Sequence, residues 1–377
     1  MKISRITCYE VVVPARKGAI DSFAVSKPLH KLPVGVKAAW SLQFDSLPKL
    51  IIQLELDSGI IGWGELYRNH NWPVVEDIIE LLLGQEMERL ILQKLPFTFC
   101  REYDGFECAI WDAYARMHHM RVVDLLGGPQ KEKVKVGAWS SHRTVEDVGD
   151  LVKHYQALGY DCIKFKSDLQ DDVVAWCETI AASAPEMKVI IDPNERWEYA
   201  FETRKRIEGL KNIGNVLCLE DPIPRWQLNE YASLRAFSSI PIVLHVSLPY
   251  VLLGQRMKDA IQAVQLQAVD GFNFNGGIAD FQRMDHIAAV AELPCWHGSE
   301  IDLGIMEAMY VHSSAAAASC IWPSDIFGCL IREHDLLKQP LHFEPPYVHL
   351  PEGMGLGIEP DMDAIANYQT DKKEYHL

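Results

Sequence analysis

Short apolar runs alternating with polar residues dominate the start of the chain. Residues 3–13 and 50–56 carry the period of two expected of strands, and the turn Asp57-Ser58-Gly59 leads into residues 60–65 as the second arm of a hairpin. Over residues 74–92 and 106–116 the apolar spacing changes to the helical period, and Gly127-Gly128-Pro129 closes the segment. The pattern predicts an α+β unit over residues 1–128.

Beyond Pro129 the pattern becomes a series of short β-branched runs, each ending in a polar residue and followed by a helical stretch. The predicted strands are 134–139, 162–166, 189–192, 216–220, 242–245, 264–270 and a short run ending near His297. Strands alternating with helices imply a parallel sheet. From Lys166 through Asp192, Glu220, His245, Asp270 and His297 to Asp325, successive run ends lie 25 to 28 residues apart. A near-constant repeat with no break in strand order suits a closed (β/α) barrel over residues 129–338 better than an open doubly wound sheet, and it sets these polar residues at the strand ends where barrel active sites lie. The tail, residues 339–377, is rich in Pro and Gly and has no helical period. It is expected to fold back onto the first unit.

Composition narrows the partners. A formal net charge of −16 argues against nucleic acid or an anionic membrane surface, so an anionic substrate must meet local cations inside a pocket. Nine cysteines without C-x-x-C spacing read as reduced thiols, and the first residues lack the apolar core of a signal peptide, so a cytoplasmic protein is expected. No apolar run approaches membrane-spanning length.

The pleat of residues 162–166 puts Lys164 and Lys166 on one face and Ile163 with Phe165 on the other. Inside a barrel this aims two ammonium groups at the mouth, where mutual repulsion would lower their pKa values and leave one able to act as a base. The alternative is a pair of surface lysines on an edge strand. Asp192 and Glu220 each close an apolar run on neighbouring strands, an arrangement that a divalent cation would resolve. Asp192 could instead cap the helix that follows. Ser299 lacks a G-x-S-x-G elbow, which removes the hydrolase nucleophile.

Here the sequence resembles a family over nearly its whole length. Residues 50–65, with Asp57-Ser58-Gly59 and Gly62-Trp63-Gly64-Glu65, resemble the capping-domain hairpin of the mandelate racemase and muconate-lactonising branch of the enolase superfamily, and residues 106–128 resemble its join to the barrel. Lys164-Phe165-Lys166 matches the K-x-K of the second strand, Asp192-Pro193-Asn194 the D-x-N of the third and Glu220-Asp221-Pro222 the E-x-P of the fourth. Gly276-Gly277 falls at the Gly-Gly after the sixth strand, and residues 322–328 resemble the eighth-strand motif with Asp325 as its acid. The resemblance implies a TIM-like (β/α)7β barrel with an α+β capping domain. It also implies a reaction that begins by removing the proton α to a metal-bound carboxylate. The roles it implies are Lys166 as base, Lys164 as its electrostatic neighbour, Asp192 and Glu220 as Mg2+ ligands, Asp325 as a polar partner of substrate or base, and His297 as a second acid or base from the seventh strand. A homo-oligomer acting on a small carboxylate is expected.

Three departures qualify the match. His245 stands where the family has a third carboxylate ligand, so the site would hold Mg2+ weakly through two carboxylates and water, accept Mn2+, or stay empty. The sixth strand lacks the family's lysine or aspartate; its spacing falls on Asn275, leaving Asp270, Asn275 or neither as the partner of His297. The seventh-strand run continues into the extra acids Glu300 and Asp302. Dehydration of a hydroxy acid, such as a sugar acid, is the first expectation, with Lys166 taking the α-proton and His297 protonating the departing hydroxyl. A racemase or epimerase and a non-catalytic anion-binding barrel are the alternatives. Trp40, Arg68 and Trp72 fall in cap loops within reach of the mouth.

Overall fold

The computed structural model describes residues 1–22, 47–248 and 257–377; Trp40 lies outside them. The cap is a four-stranded antiparallel sheet in the order Gln369–His376, Ile3–Val11, Lys49–Leu56, Ile61–Glu65, with the end of the chain paired to its beginning. Leu50, Ile52, Leu54 and Leu56 pack with residues of the helices Trp72–Leu82 and Tyr103–Met117. The third strand carries glycine at alternate positions because the second helix lies directly on it. A Cβ on Gly62 would stand 2.1 Å from the Ala109 carbonyl oxygen, and one on Gly64 would stand 2.0 Å from that of Gly105.

The barrel sheet has seven parallel strands in chain order: Ala138–Ser140, Cys162–Lys166, Lys188–Asp192, Val216–Glu220, Ile242–Ser247, Gly271–Asn275 and Cys295–His297. Its seam is closed by an irregular eighth segment. Cys320 bridges to Cys295 and Ser324 to Val136, while the Asp325 N–H donates to the His297 carbonyl at 2.8 Å. Ile163, Phe165, Ile191, Leu219, Leu244, Phe272 and Phe274 face the surrounding helices. Cys162, Ile190, Cys218, Val243 and Trp296 form a separate apolar plug inside the ring.

Two expected strands differ. The run 134–139 divides: Lys133–Lys135 pairs antiparallel with Tyr347–His349, and only Ala138–Ser140 joins the barrel. The run 264–270 is the end of the helix Lys258–Gln265 and a turn, and the sixth strand begins at Gly271. Asp270 therefore sits at the strand-entry end, where it accepts from the Ile242 N–H at 2.9 Å and pairs with Arg235 at 2.7 Å. The tail also holds a seven-residue helix, Met362–Tyr368, that the expected absence of helical period misses; Asp361 caps it.

A buried ion cluster joins cap to barrel. Lys49 Nζ lies 2.9 Å from Glu65 Oε1 and 2.6 Å from Asp302 Oδ1. Glu65 also accepts from the Leu303 and Met306 N–H groups at the start of the helix Gly304–Ala316, where a negative charge is favoured. Replacing Lys49 by Met leaves two buried carboxylates without their cation, so Lys49→Met is expected to cost about 3–5 kcal/mol. Urea unfolding of the variant beside the wild type checks this; a loss below about 1 kcal/mol would show that the cluster does not hold the two parts together.

Candidate active site

The pleat of the second barrel strand turns Lys164 and Lys166 inward. Lys164 Nζ lies 2.6 Å from Glu220 Oε2, 2.8 Å from Asp325 Oδ2 and 3.5 Å from Asp192 Oδ2. The Lys166 ammonium donates to Asp192 Oδ2 and stands 3.4 Å from Asn194 Oδ1. The structure thus brings five expected residues together in one buried group: Lys164 and Lys166 of the second strand, Asp192 of the third, Glu220 of the fourth and Asp325 of the closing segment. His245, on the fifth strand, joins them with Nδ1 3.4 Å from Glu220 Oε1.

Three carboxylates here face two ammonium groups. Burial, and then the charges of Asp192 and Asp325, push Glu220 up to about 8 against the pull of Lys164. Asp192 moves the other way: burial would raise it, but Lys166 and Lys164 hold it below the usual carboxylate range. Burial would also strip the proton from Lys164, yet Asp325, Glu220 and Asp192 together hold it well above an ordinary lysine. The expectation that repulsion lowers both lysines fails for Lys164, because it has three anionic neighbours against one cationic one.

The donor set fits a hard divalent cation. Asp192 and Glu220 offer carboxylate oxygens in a cluster with surplus negative charge, which is the condition that such an ion relieves. Glu220, Asp221 and His245 each bring one donor atom within 4.8 Å of the others. Asp221 is already engaged, accepting from the His245 N–H at 2.8 Å and pairing with Arg225. An imidazole as the third donor suits Mn2+ better than Mg2+.

The sixth and seventh strands differ from expectation. Asn273 and Asn275 face the mouth in place of an ionisable group. Asn273 Nδ2 donates to Glu220 Oε1 at 2.6 Å and lies 3.4 Å from Asp325 Oδ2. His297 does not join this cluster. Its neighbour Trp296 occupies the inward position, with Lys164 Nζ 5.5 Å from its ring centroid, so His297 points into the helix layer. There its ring lies 4.2 Å, between centroids, from both Phe281 and Tyr310, and Nδ1 meets the Gly298 carbonyl at 2.7 Å. Burial pushes its pKa down to about 3. Neither Asp270 nor Asn275 orients it. Adjacent Trp and His on a strand cannot both point inward, and that was the signal available in the sequence.

The extra acids serve structure: Asp302 belongs to the Lys49 cluster, and Glu300 binds Arg101 through two hydrogen bonds of 2.7 and 2.6 Å. Trp72 donates to Glu10 at 3.2 Å in the cap, and Arg68 is buried with its carbonyl accepting from Arg101. Sequence reasoning missed a polar group at the ends of the first three strands. His142 Nδ1 lies 2.6 Å from Asp171 Oδ2, and its Nε2 faces Arg196 at 2.9 Å. Its members follow their strand ends by two to five residues, so inspecting the loops after each run, and not only the runs, would have raised it.

Comparison with known proteins gives a consistent set of relatives. The family profile described as Enolase C-terminal domain-like matches residues 147–364. The chain is 25% identical over 351 residues to muconate cycloisomerase 1 of Rhodococcus opacus, covering 85% of this chain and 91% of that protein. It is 23% identical to the o-succinylbenzoate synthase of Geobacillus kaustophilus, covering 92% and 96%. The crystal structure of the N-succinyl Arg/Lys racemase from Bacillus cereus superposes with a TM-score of 0.83 at 20% identity over the full length of both chains.

The charge imbalance predicts a pH effect. With Glu220 near 8 in the folded protein and near 4.5 unfolded, the folded state holds a proton across that interval that the unfolded state has lost, so metal-free stability falls as pH rises from about 4.5 to 8. Asp221, pushed up to about 6 mainly by burial, acts in the same direction, so Glu220→Gln should shrink the slope without abolishing it. Denaturant unfolding at intervals across this range checks it, and an unchanged slope in the variant would assign the effect elsewhere. Calorimetry of Mg2+ binding in buffers of different ionisation enthalpy should show proton release from the wild type and less from Glu220→Gln.

Proposed function

The chain belongs to the enolase superfamily, in its mandelate racemase and muconate-lactonising branch, and on that premise we propose that it removes the proton α to the carboxylate of a small hydroxy acid and expels water. Lys166 is the base. When bound at Asp192 and Glu220, a divalent cation supplies the positive charge that makes such a proton acidic. Lys164, kept protonated by Asp325 and its other two carboxylate neighbours, presents a fixed ammonium to the substrate carboxylate.

The observation that carries dehydration over inversion is the one-sidedness of the site. A two-base racemase needs a second group that can exchange a proton on the face away from Lys166. On that side the sixth strand offers the amides of Asn273 and Asn275, and His297 lies in the helix layer. Elimination needs no second base. Lys166 takes the α-proton, and the same group, now protonated, returns a proton to the hydroxyl leaving from the neighbouring carbon on that face. The C–H and C–O bonds break, water departs, and the enol left behind becomes a 2-keto-3-deoxy acid. The acid role first expected of His297 thereby passes to Lys166.

Incubating a panel of sugar acids and N-acyl amino acids in D2O tests this reading. Exchange or loss of the α-proton should appear with hydroxy acids, with a keto acid as product. Lys166→Ala should lower the rate by at least about 10²-fold, while His297→Phe should stay within about tenfold of the wild type. Inversion of an amino-acid derivative without dehydration of any hydroxy acid would replace the proposal with a racemase, and absence of exchange with every acid would favour a binding role.

A further inference from the structure

Two carboxylates of the cap meet the barrel with no cation between them. Asp104 and Glu107 lie one turn apart on the helix Tyr103–Met117, each 1% exposed, and face the start of the helix Ile278–Val290 just past the sixth strand. A Cβ on Gly277 would stand 1.9 Å from Glu107 Oε2 and 2.7 Å from Asp104 Oδ1, so these two oxygens converge on one point beside the glycine. Neither oxygen has a hydrogen-bond partner, and among the described residues neither carboxylate has an ion-pair partner. The other two oxygens are met: Tyr67 donates to Asp104 Oδ2 at 2.9 Å, and the Ala279 N–H donates to Glu107 Oε1 at 3.2 Å. The surrounding groups are Asp280 from the barrel helix, Arg101, the hydroxyls of Tyr67 and Tyr103, and the Cys108 thiol. The nearby cations are spent on other acids, Arg101 on Glu300 and Arg283 on Asp280.

Two facing carboxylates in a dry joint repel, and each unmet oxygen adds its own cost. A metal ion between them would have two protein oxygens and would meet the positive end of a helix, which disfavours a cation. A proton meets both conditions. One carboxyl then donates to the other, a single bond satisfies both open oxygens, and one negative charge remains at the helix start, where one is favoured. We infer that Asp104 and Glu107 bind one proton between them, and that docking of the cap beside the sixth strand weakens when it leaves. Burial pushes Asp104 up to about 7, and burial followed by the charge of Asp104 pushes Glu107 well above its normal range. The proton belongs to the pair rather than to either residue. Because the unfolded chain loses it at ordinary carboxylate values, the docked state is favoured at low pH and loses that advantage as pH rises through the pair's own range. Tyr67, whose hydroxyl also lies 3.5 Å from Asn275 Oδ1, connects this joint to the mouth.

Hydrogen–deuterium exchange of the intact protein, read on peptides of residues 103–117 and 276–290 and corrected for intrinsic rates, provides the test. Between about pH 6 and about pH 9 the wild type is expected to lose about tenfold or more of its protection there. Glu107→Gln puts an amide in place of the acid, able to donate to Asp104 but not to titrate, so protection at the joint should stay within about threefold across the interval. Asp104→Asn is the second variant, in case the first fails to fold. Glu220→Gln removes the titrating carboxyl of the mouth and should keep the pH dependence of the joint, which separates the two effects. Infrared spectra at about pH 6 read the proton directly: the wild type should show a protonated-carboxyl C=O band that Glu107→Gln lacks. Abolition of the pH dependence in either variant of the pair supports the shared proton. Flat protection in the wild type, a dependence that survives in both variants of the pair or vanishes in Glu220→Gln, or an infrared band unchanged by Glu107→Gln overturns it.

Discussion

The mouth of this barrel is organised by one buried ammonium. Lys164 touches three carboxylates from three different places in the ring, two delivered by the ends of neighbouring strands and the third by the segment that closes the seam. Remove the lysine and the carboxylates repel in a medium that screens them poorly; remove a carboxylate and a neighbouring charge loses its partner. The cluster is therefore as much a constraint on the fold as a device for chemistry. It also stops short of neutrality, and the shortfall appears on Glu220, which holds a proton well above the normal carboxylate range. Carboxylates placed to hold a divalent cation carry just such a surplus of negative charge on the protein's side.

The same logic recurs where cap meets barrel. Lys49 is buried between a cap carboxylate and a barrel carboxylate, and Glu65 further holds the start of a barrel helix. Beside the sixth strand, Asp104 and Glu107 of the cap approach the start of the helix Ile278–Val290, where the Ala279 N–H donates to Glu107 at 3.2 Å. They come so close to Gly277 that a Cβ would stand 1.9 Å from Glu107 Oε2 and 2.7 Å from Asp104 Oδ1. The second glycine of the Gly-Gly pair is thus required by docking of the cap. Burial of these carboxylates pushes Asp104 up to about 7 and Glu107 well above its normal range. The cap is held by polar contacts whose strength depends on excluding water.

Legibility in the sequence followed periodicity. Where a strand is buried on both faces and ends in a polar residue, as in Cys162–Lys166, Lys188–Asp192 and Val216–Glu220, the run and its end could be read directly. Position along the chain failed where two periods overlap. The alternation of residues 264–270 suits a strand, but its first two residues end a helix and the rest is turn and connection, and Asp270 moved to the opposite end of the barrel from the one expected. His297 failed for a different reason. Its chain position matched, but a three-residue strand gives too short a pattern to fix which side faces inward, and the bulk of Trp296 decided it. The Lys49 cluster carried no local signal, since its three members are scattered over more than 250 residues.

The pleat that moves His297 outward also has a consequence for the reaction class. With Trp296 inward, Gly298 two residues on lies against the sixth strand, so close that a Cβ there would stand 2.3 Å from Asn273 Oδ1. The sixth strand beside it supplies amides, which can orient a group but cannot exchange a proton near neutral pH. Both features lie on the side away from Lys166, where close packing of the strand against Gly298 buries the two amides and brings in no ionisable group. A barrel with an acid or base on each face is suited to inverting a carbon. With an amine on one face and neutral amides on the other, the proposed chemistry would proceed from the Lys166 side alone.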